Sequence, residues 1–428
     1  MIVQDPLYGR FQLPSRLVQL LLTPEVRRLS QIRLLNTTTP SLATLGDLRR
    51  YSHTLGVLHL ALSSRQIGYT PGERDALAAS VILHDIGTPP FGHLMEYHLK
   101  ELTGWSHEDA IHALLWGFHA PENRAHQIFA GRSLTVRTVL RRIGIELELV
   151  QAIITKQHPL SALLFGSIDF DNLDNVVRMA WALGIPCRRS LSLDLAKGLS
   201  VTRGGVLQFS HARQGESIQQ WADLRRQVYE VLVFDPPTVA AQAVLSEAIG
   251  IALRSDVISE SDWPLYDELL IERLRSNTST KRLISRDYLG QLPNLVFALQ
   301  LTGELSDYKL QSRAEAKATL DRLLNNEFGK GKALGYVFLD RGSFGKELVF
   351  SDPDTSEQWA TGRDSHSIIL YGFLRSSYRL TAERASAVVE AVLTEIGIPK
   401  GSVMRQLVAG AREEDRFGDD PQLTLPAF

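Results

Sequence analysis

The 428-residue chain predicts a mainly α fold: a helical core followed by a small α+β C-terminal region. Two observations carry this. Through the first two-thirds of the chain, apolar residues recur at helical spacing with capping signals between them. From about residue 330 the pattern changes to short runs of strand-forming residues separated by Gly, Ser and Asp.

The elements follow in order. Leu17 to Leu22 and Val26 to Leu35 carry helical spacing. His53 opens a helix that continues through Thr54 to Ser63. Thr70-Pro71-Gly72-Glu73 reads as a helix start, a Thr cap with Pro in the first turn, for a helix ending near His84. Ser106-His107-Glu108-Asp109 caps the next helix, through Ala110 to Trp116. Short helices are expected at 133–144 and 145–156, and a longer one from Asp169 to Leu183, stopped by Gly184 and Pro186. Leu199 to Ser210, with Gly204-Gly205 at its middle, reads as a small hairpin. Helices resume at 215–233, 237–255 and 262–276. Tyr336-Val-Phe-Leu, Leu348-Val-Phe and Ile368-Ile-Leu-Tyr read as strands, and 381–396 as a helix ending at Gly397. The expected division is a core with helical extension at 1–328 and the α+β region at 329–428.

A formal net charge of -2 carries no global basic signature, so nucleic-acid binding is unsupported by bulk charge and open only through a local patch. One cysteine, Cys187, excludes an intrachain disulfide and a thiolate cluster and fits a reducing compartment. The N-terminal stretch lacks an apolar core of signal-peptide length, and no uninterrupted apolar run is long enough to span a bilayer. The expectation is a cytoplasmic protein without a membrane partner.

The chemistry is signalled by His84-Asp85, an imidazole and a carboxylate at the end of the apolar run Val81-Ile82-Leu83. Neither belongs in a core unless paired or bound to a metal. Thr88-Pro89-Pro90-Phe91-Gly92 then breaks the helix and brings His93 close by. Arg50 with His53, His107-Glu108, and the acidic run around Asp171 stand at helix ends that can face one cleft. With no thiolates available, a divalent metal would take imidazole and carboxylate ligands. His53, His84, Asp85 and Asp171 supply two of each. Such a set leaves positions for water and a phosphate oxygen, the arrangement of metal-assisted hydrolysis.

His53, His84-Asp85 and a distant Asp171, in this order, resemble the H…HD…D signature of the HD phosphohydrolase superfamily. Arg50-Tyr-Ser-His53-Thr-Leu-Gly-Val, His84-Asp-Ile-Gly-Thr-Pro-Pro-Phe-Gly-His93, Trp105-Ser-His107-Glu108 and Ile168-Asp-Phe-Asp171-Asn-Leu-Asp-Asn-Val-Val-Arg178 resemble segments of the deoxynucleoside triphosphate triphosphohydrolases within it. Arg226-Gln-Val-Tyr229 is similar to an R-x-x-Y element of the same enzymes. The likeness runs from about residue 20 to 280. It implies metal binding by His53, His84, Asp85 and Asp171, and a phosphate contact from Arg50. It implies proton transfer or water orientation by His93 with support from His107 and Glu108, and a pocket role for Tyr229. It also implies a homo-oligomer. The metal would be Mn, Fe, Mg, Zn, Co or Ni. The departures concern recognition. Thr88 stands where the family has a second His near the phosphates. Leu34, Asn175 and Met179 replace a Gln, a Tyr and an Asp, the Gln and the Asp being the pair that reads the sugar hydroxyl. Metal and proton-transfer residues are retained while sugar-reading residues are largely replaced.

Simpler roles compete at several positions. Asp169 and Asp174 suit capping or salt bridges better than metal binding, and Tyr229 suits ordinary core as well as a pocket. His59, His98, His112, His119, His126, His158, His211 and His366 have no motif behind them. Gly329-Lys-Gly-Lys lacks the spacing of a phosphate loop and reads as a turn. The function expected is metal-dependent hydrolysis of a nucleotide phosphate, most specifically release of a nucleoside and triphosphate from a dNTP. The alternatives are an HD phosphatase or phosphodiesterase acting on another nucleotide or a nucleic-acid end, and a non-catalytic HD-domain nucleotide sensor.

Overall fold

The computed structural model describes every residue except 37–38, 67, 117–133, 343, 376–379 and 410–428. His119, His126 and the first residue of the expected helix at 133–144 lie outside the described residues. The chain forms two compact units. They do not follow a division at 328. The first comprises Met1–Tyr229, Ser246–Lys281 and Lys346–Arg363, and the second Glu230–Leu245, Arg282–Gly345 and Asp364–Phe428.

The first unit is helical, with a hairpin of β1 (Ile2–Asp5) and β2 (Gly9–Gln12) and a small sheet. Its sheet is ordered β3 (Ser200–Val201), β4 (Leu207–Gln208), β7 (Leu348–Ser351), β8 (Gln358–Thr361). The helices Arg50–Ser63, Pro71–Leu83, His93–Thr103, His107–Trp116 and Phe170–Leu183 carry every candidate site residue except Tyr229 and the two that close the second of them, His84 and Asp85. Thr70 caps Pro71–Leu83 in a reciprocal capping box with Glu73, and Pro71 opens it. Some expected helices are shorter than their spacing suggests: the one at 262–276 begins only at Asp267, after a separate 3-10 turn at Glu260–Asp262. Between Val26 and Leu35, helix stops at Arg27 and continues as one 3-10 turn to Gln31. Arg33 then bridges to Arg49 as extended chain, its N–H bound to Asp267 at 2.9 Å.

The second unit is a four-stranded antiparallel sheet ordered β10 (Val403–Val408), β5 (Asn294–Thr302), β9 (His366–Leu374), β6 (Ala333–Arg341). Helices Arg313–Phe328 and Ala382–Ile396 connect β5 to β6 and β9 to β10, a split βαββαβ arrangement. Val296, Leu299, Val337 and Leu370 pack with Leu320, Leu324, Val389 and Val392 of those helices. Ala298, Tyr336, Tyr371 and Phe373 pack with Val239, Ala243 and Val244. Both sheet faces are therefore covered. The expected strands and the helix at 381–396 are present, each strand longer than its apolar run. Strand β5 and helix Arg313–Phe328 are additional. Pro236–Arg254 is the one helix among the described residues with the length and composition of a membrane span, and most of it is buried, as in a core helix.

Candidate metal centre

The Pro71–Leu83 helix delivers His84 and Asp85 at its C-terminal end. The His84 Nδ1–H donates to the Val81 carbonyl at 2.7 Å, which fixes the ring and leaves Nε2 facing inward. That Nε2 is buried and has no hydrogen-bond partner. It lies 3.6 Å from an oxygen of Asp171 and 3.6 Å from an oxygen of Asp85. Burial alone would depress the His84 pKa, but the two carboxylates raise it. From the Arg50–Ser63 helix, His53 places its Nε2 2.6 Å from Asp171 and its Nδ1 2.7 Å from Asp174. Burial opposes its protonation, yet bonds to both carboxylates push it up to about 9. One donor atom from each of His53, His84 and Asp171 lies within 4.8 Å of the others, so the three can hold a metal ion. A buried, partnerless imidazole nitrogen beside a carboxylate fits that role, because leaving it unpaired costs free energy that a ligand would recover.

Asp85 sits beside these three. The Arg50 guanidinium donates to both of its oxygens at 2.8 Å, and the Thr88 hydroxyl donates to one at 2.9 Å. Burial raises the Asp85 pKa, but Arg50 outweighs it and holds the carboxyl ionised. Thr88, the position of a departure, is thus buried and bound to Asp85. Leu34 and Met179 are buried apolar residues, and Asn175 keeps a side-chain oxygen buried without a partner.

Behind these residues, Asp169 caps the Phe170–Leu183 helix by accepting from Asn172 N–H, and Asp174 pairs with Arg178, the capping and salt-bridge roles that suit them. Burial pushes the Asp174 carboxyl up, but Arg178 and His53 bring it down to about 2. Gly56 faces this pair so closely that a Cβ there would stand 2.0 Å from an Asp174 oxygen. The carboxylate–imidazole contact orients His53 as outer partners orient metal-binding histidines.

The turn after Asp85 is held by two residues that sequence reasoning does not single out. Buried Arg28 donates to the carbonyls of Ile86, Thr88, Trp263 and Leu265. Asp267 accepts from Phe91 N–H at 2.9 Å, where Phe91 and Gly92 both take positive φ (58° and 53°). Gly92 is needed there, since a Cβ would also meet the Arg50 guanidinium at 2.8 Å. A Cβ on Gly87 would stand 2.3 Å from the His107 carbonyl, so the His107–Trp116 helix packs directly on the turn.

A second polar group assembles there. His93 is largely exposed and contacts Glu96 at 2.9 Å through Nδ1, while His107 Nδ1 contacts the other Glu96 oxygen at 2.6 Å. Glu108 is 3.5 Å from His107. Burial would lower the His107 pKa, but Glu96 raises it, and the charge of Asp85 adds to this. Glu96 is the residue the motifs miss: it joins His93 to His107. Its one sequence signal is its place three residues after His93 on a helix, the spacing at which side chains meet. Tyr229 lies on the helix His211–Phe234 with the Arg225 guanidinium 4.8 Å over its ring.

A model of the HD domain matches residues 50–162. The chain is 24% identical over 262 residues to the uncharacterized protein YwfO of Bacillus subtilis, covering 58% of this chain and 55% of that protein. It is 29% identical over 119 residues to the deoxynucleoside triphosphate triphosphohydrolase SAMHD1 of Homo sapiens, covering 25% of this chain and 19% of that protein. The chain therefore spans about half the length of the first of these relatives and about a fifth of the second. A phosphohydrolase from Bacteroides thetaiotaomicron superposes with a TM-score of 0.62 at 17% identity, covering 87% of this chain and 99% of that one, which shows a shared fold. Residues 50–162 thus match the HD domain, and the chain shares its fold with this solved phosphohydrolase.

Proposed function

We propose that the chain hydrolyses a nucleotide phosphate ester with a divalent metal held by His53, His84 and Asp171, Asp85 completing the set. Mn, Fe, Mg, Zn, Co and Ni all accept such ligands. When bound, the ion activates water and neutralises phosphate charge. The observation that carries the reading is the buried, partnerless His84 Nε2 aimed at Asp171 and Asp85. Arg50 holds Asp85 in place and stands next to Gly92, where a phosphate oxygen can reach its remaining N–H groups. His93, exposed and anchored through Nδ1, keeps Nε2 to give a proton to the leaving oxygen or to orient the attacking water. Glu96 and His107 fix its orientation, with Glu108 beside them.

Likeness to SAMHD1 supports a dNTP triphosphohydrolase in particular. The second reading, hydrolysis of another nucleotide or of a nucleic-acid end, is favoured by one group of observations. Thr88 is bound to Asp85 and offers no cation, and Leu34 and Met179 are buried and apolar, so neither can hydrogen-bond a sugar hydroxyl. We further propose a cytoplasmic homo-oligomer. The test is product analysis over a panel of dNTPs, NTPs, mononucleotides and oligonucleotides with added Mn. Intact triphosphate identifies the first reading and orthophosphate or a cleaved diester the second. Nucleotide that binds without being consumed identifies a sensor and refutes hydrolysis.

A further inference from the structure

The hairpin β1–β2 lies far from the ligands in sequence, yet its turn enters their support. We propose that Tyr8 and Asp5 of this hairpin are positioning residues for the metal ligand His53, acting through Asp174 and Arg178; this rests on the reading of His53 as a ligand. The Tyr8 hydroxyl donates to Asp174 Oδ1 at 2.8 Å. Arg178 donates to both Asp174 oxygens, through Nε at 2.8 Å and Nη2 at 2.9 Å. His53 Nδ1–H donates to Oδ2 at 2.7 Å. Four donors thus occupy the Asp174 carboxylate, about the number of lone-pair sites a carboxylate has. It cannot rotate without breaking one of them, and the His53 ring is held with Nε2 toward Asp171. Asp5 closes the circuit. One of its oxygens is 3.1 Å from Arg178 Nη2, and the other accepts from the N–H groups of Leu7 and Tyr8, which shapes the turn that presents the Tyr8 ring. Ser192 steadies the Tyr8 hydroxyl from the side at 3.2 Å.

Anchoring alone does not require this chemistry. Val3, Leu7 and Phe11 already bury the hairpin, and buried ionic networks add little stability over apolar packing while fixing geometry well. Coupling is also reciprocal: if the hairpin orders His53 for metal, metal must in turn tighten the hairpin.

The test titrates Mn2+ and Co2+ into the full chain and into Tyr8→Phe, which keeps the ring against His59 and Arg178 and removes only the hydroxyl. We expect Tyr8→Phe to weaken Mn2+ binding on the order of 10- to 100-fold, as loss of outer partners does, and to alter the Co2+ absorption spectrum, with its unfolding transition kept within a few degrees. Asp5→Asn should act in the same direction. In the unaltered chain, Mn2+ should slow hydrogen exchange at the Leu7 and Tyr8 amides, a readout that survives if a variant misfolds. Equal affinity and an identical Co2+ spectrum in Tyr8→Phe, or hairpin exchange insensitive to Mn2+, overturns the hairpin's role and leaves the metal reading standing. No metal binding by the unaltered chain overturns the metal reading, and the hairpin's role falls with it.

Discussion

Gly56→Ala tests the packing behind His53, and its sign is decided by the structure. Gly56 lies in mid-helix, where Ala is normally favoured by about 1 kcal/mol. Here the new methyl would stand 2.0 Å from Asp174 Oδ1, 2.8 Å from its Cγ and 2.4 Å from Arg178 Nη2. Neither neighbour has room to give. Asp174 is fully buried, Arg178 is buried, and each is fixed by the other and by Tyr8, His53 or Asp5. Overpacking costs about 1–3 kcal/mol, and breaking a buried ion pair about 3–5 kcal/mol. Even partial displacement of the pair outweighs the propensity gain, giving a net loss of about 3 kcal/mol. Asp174 must turn away from His53 as it moves, so metal affinity should fall with stability. Urea unfolding and Mn2+ titration of the same preparation measure both. A Gly56→Ala protein as stable as the parent or more so, with unchanged Mn2+ affinity, refutes the close packing and the support it gives His53.

Three further outcomes follow from the same contacts. His53, raised to about 9 in the metal-free protein, carries a proton at pH 7 that a divalent ion must displace; calorimetry in buffers of different ionisation enthalpy should show about one proton released per ion, and heats independent of buffer contradict it. Glu25 is buried with one oxygen unpartnered, and burial raises its pKa from 4.5 to about 7. Because the folded value exceeds the unfolded one, this contribution to stability is fully present below pH 4.5 and lost as pH rises through 7, roughly 3 kcal/mol in all. Glu25→Gln should remove that dependence and stabilise the protein at pH 8, and an unchanged slope in urea unfolding between pH 5 and 8 refutes it. Arg28→Lys keeps the charge but loses the fork over four carbonyls; with buried carbonyls left unpaired at about 1–3 kcal/mol each, thermal unfolding should fall by several degrees, and a wild-type transition argues against the clamp.

The candidate metal-binding motifs are legible in the sequence because each is local: His84-Asp85 marks a helix end, and His53 and Asp171 stand in the opening turns of their own helices. Asp174 is readable as an ion-pair former, four residues before Arg178 on the same helix. What the sequence conceals is long-range. Tyr8 meets Asp174 across 166 positions, and Asp267 meets Phe91 across 176; no local pattern marks either. Strand β5 escapes for another reason. Val296 to Leu301 is interior on both faces, so the run lacks the alternation that identifies a half-exposed strand. The helix Arg313–Phe328 fully buries Ala316, Leu320 and Leu324, with Leu323 and Phe328 half-buried beside them, a stripe set among many polar residues. The unit boundaries are equally non-local, because residues 346–363 leave one unit to complete the β3-β4-β7-β8 sheet of the other.

The central claim is that His84 Nε2 ligates the ion that performs hydrolysis. Metal content and nucleotide turnover, measured on one preparation before chelation, after chelation and after Mn2+ is restored, test it most directly, with His84→Ala alongside. Turnover should disappear with the metal and return with it, and His84→Ala should neither retain metal nor turn over. Full turnover by the chelated protein, or by His84→Ala, would contradict it.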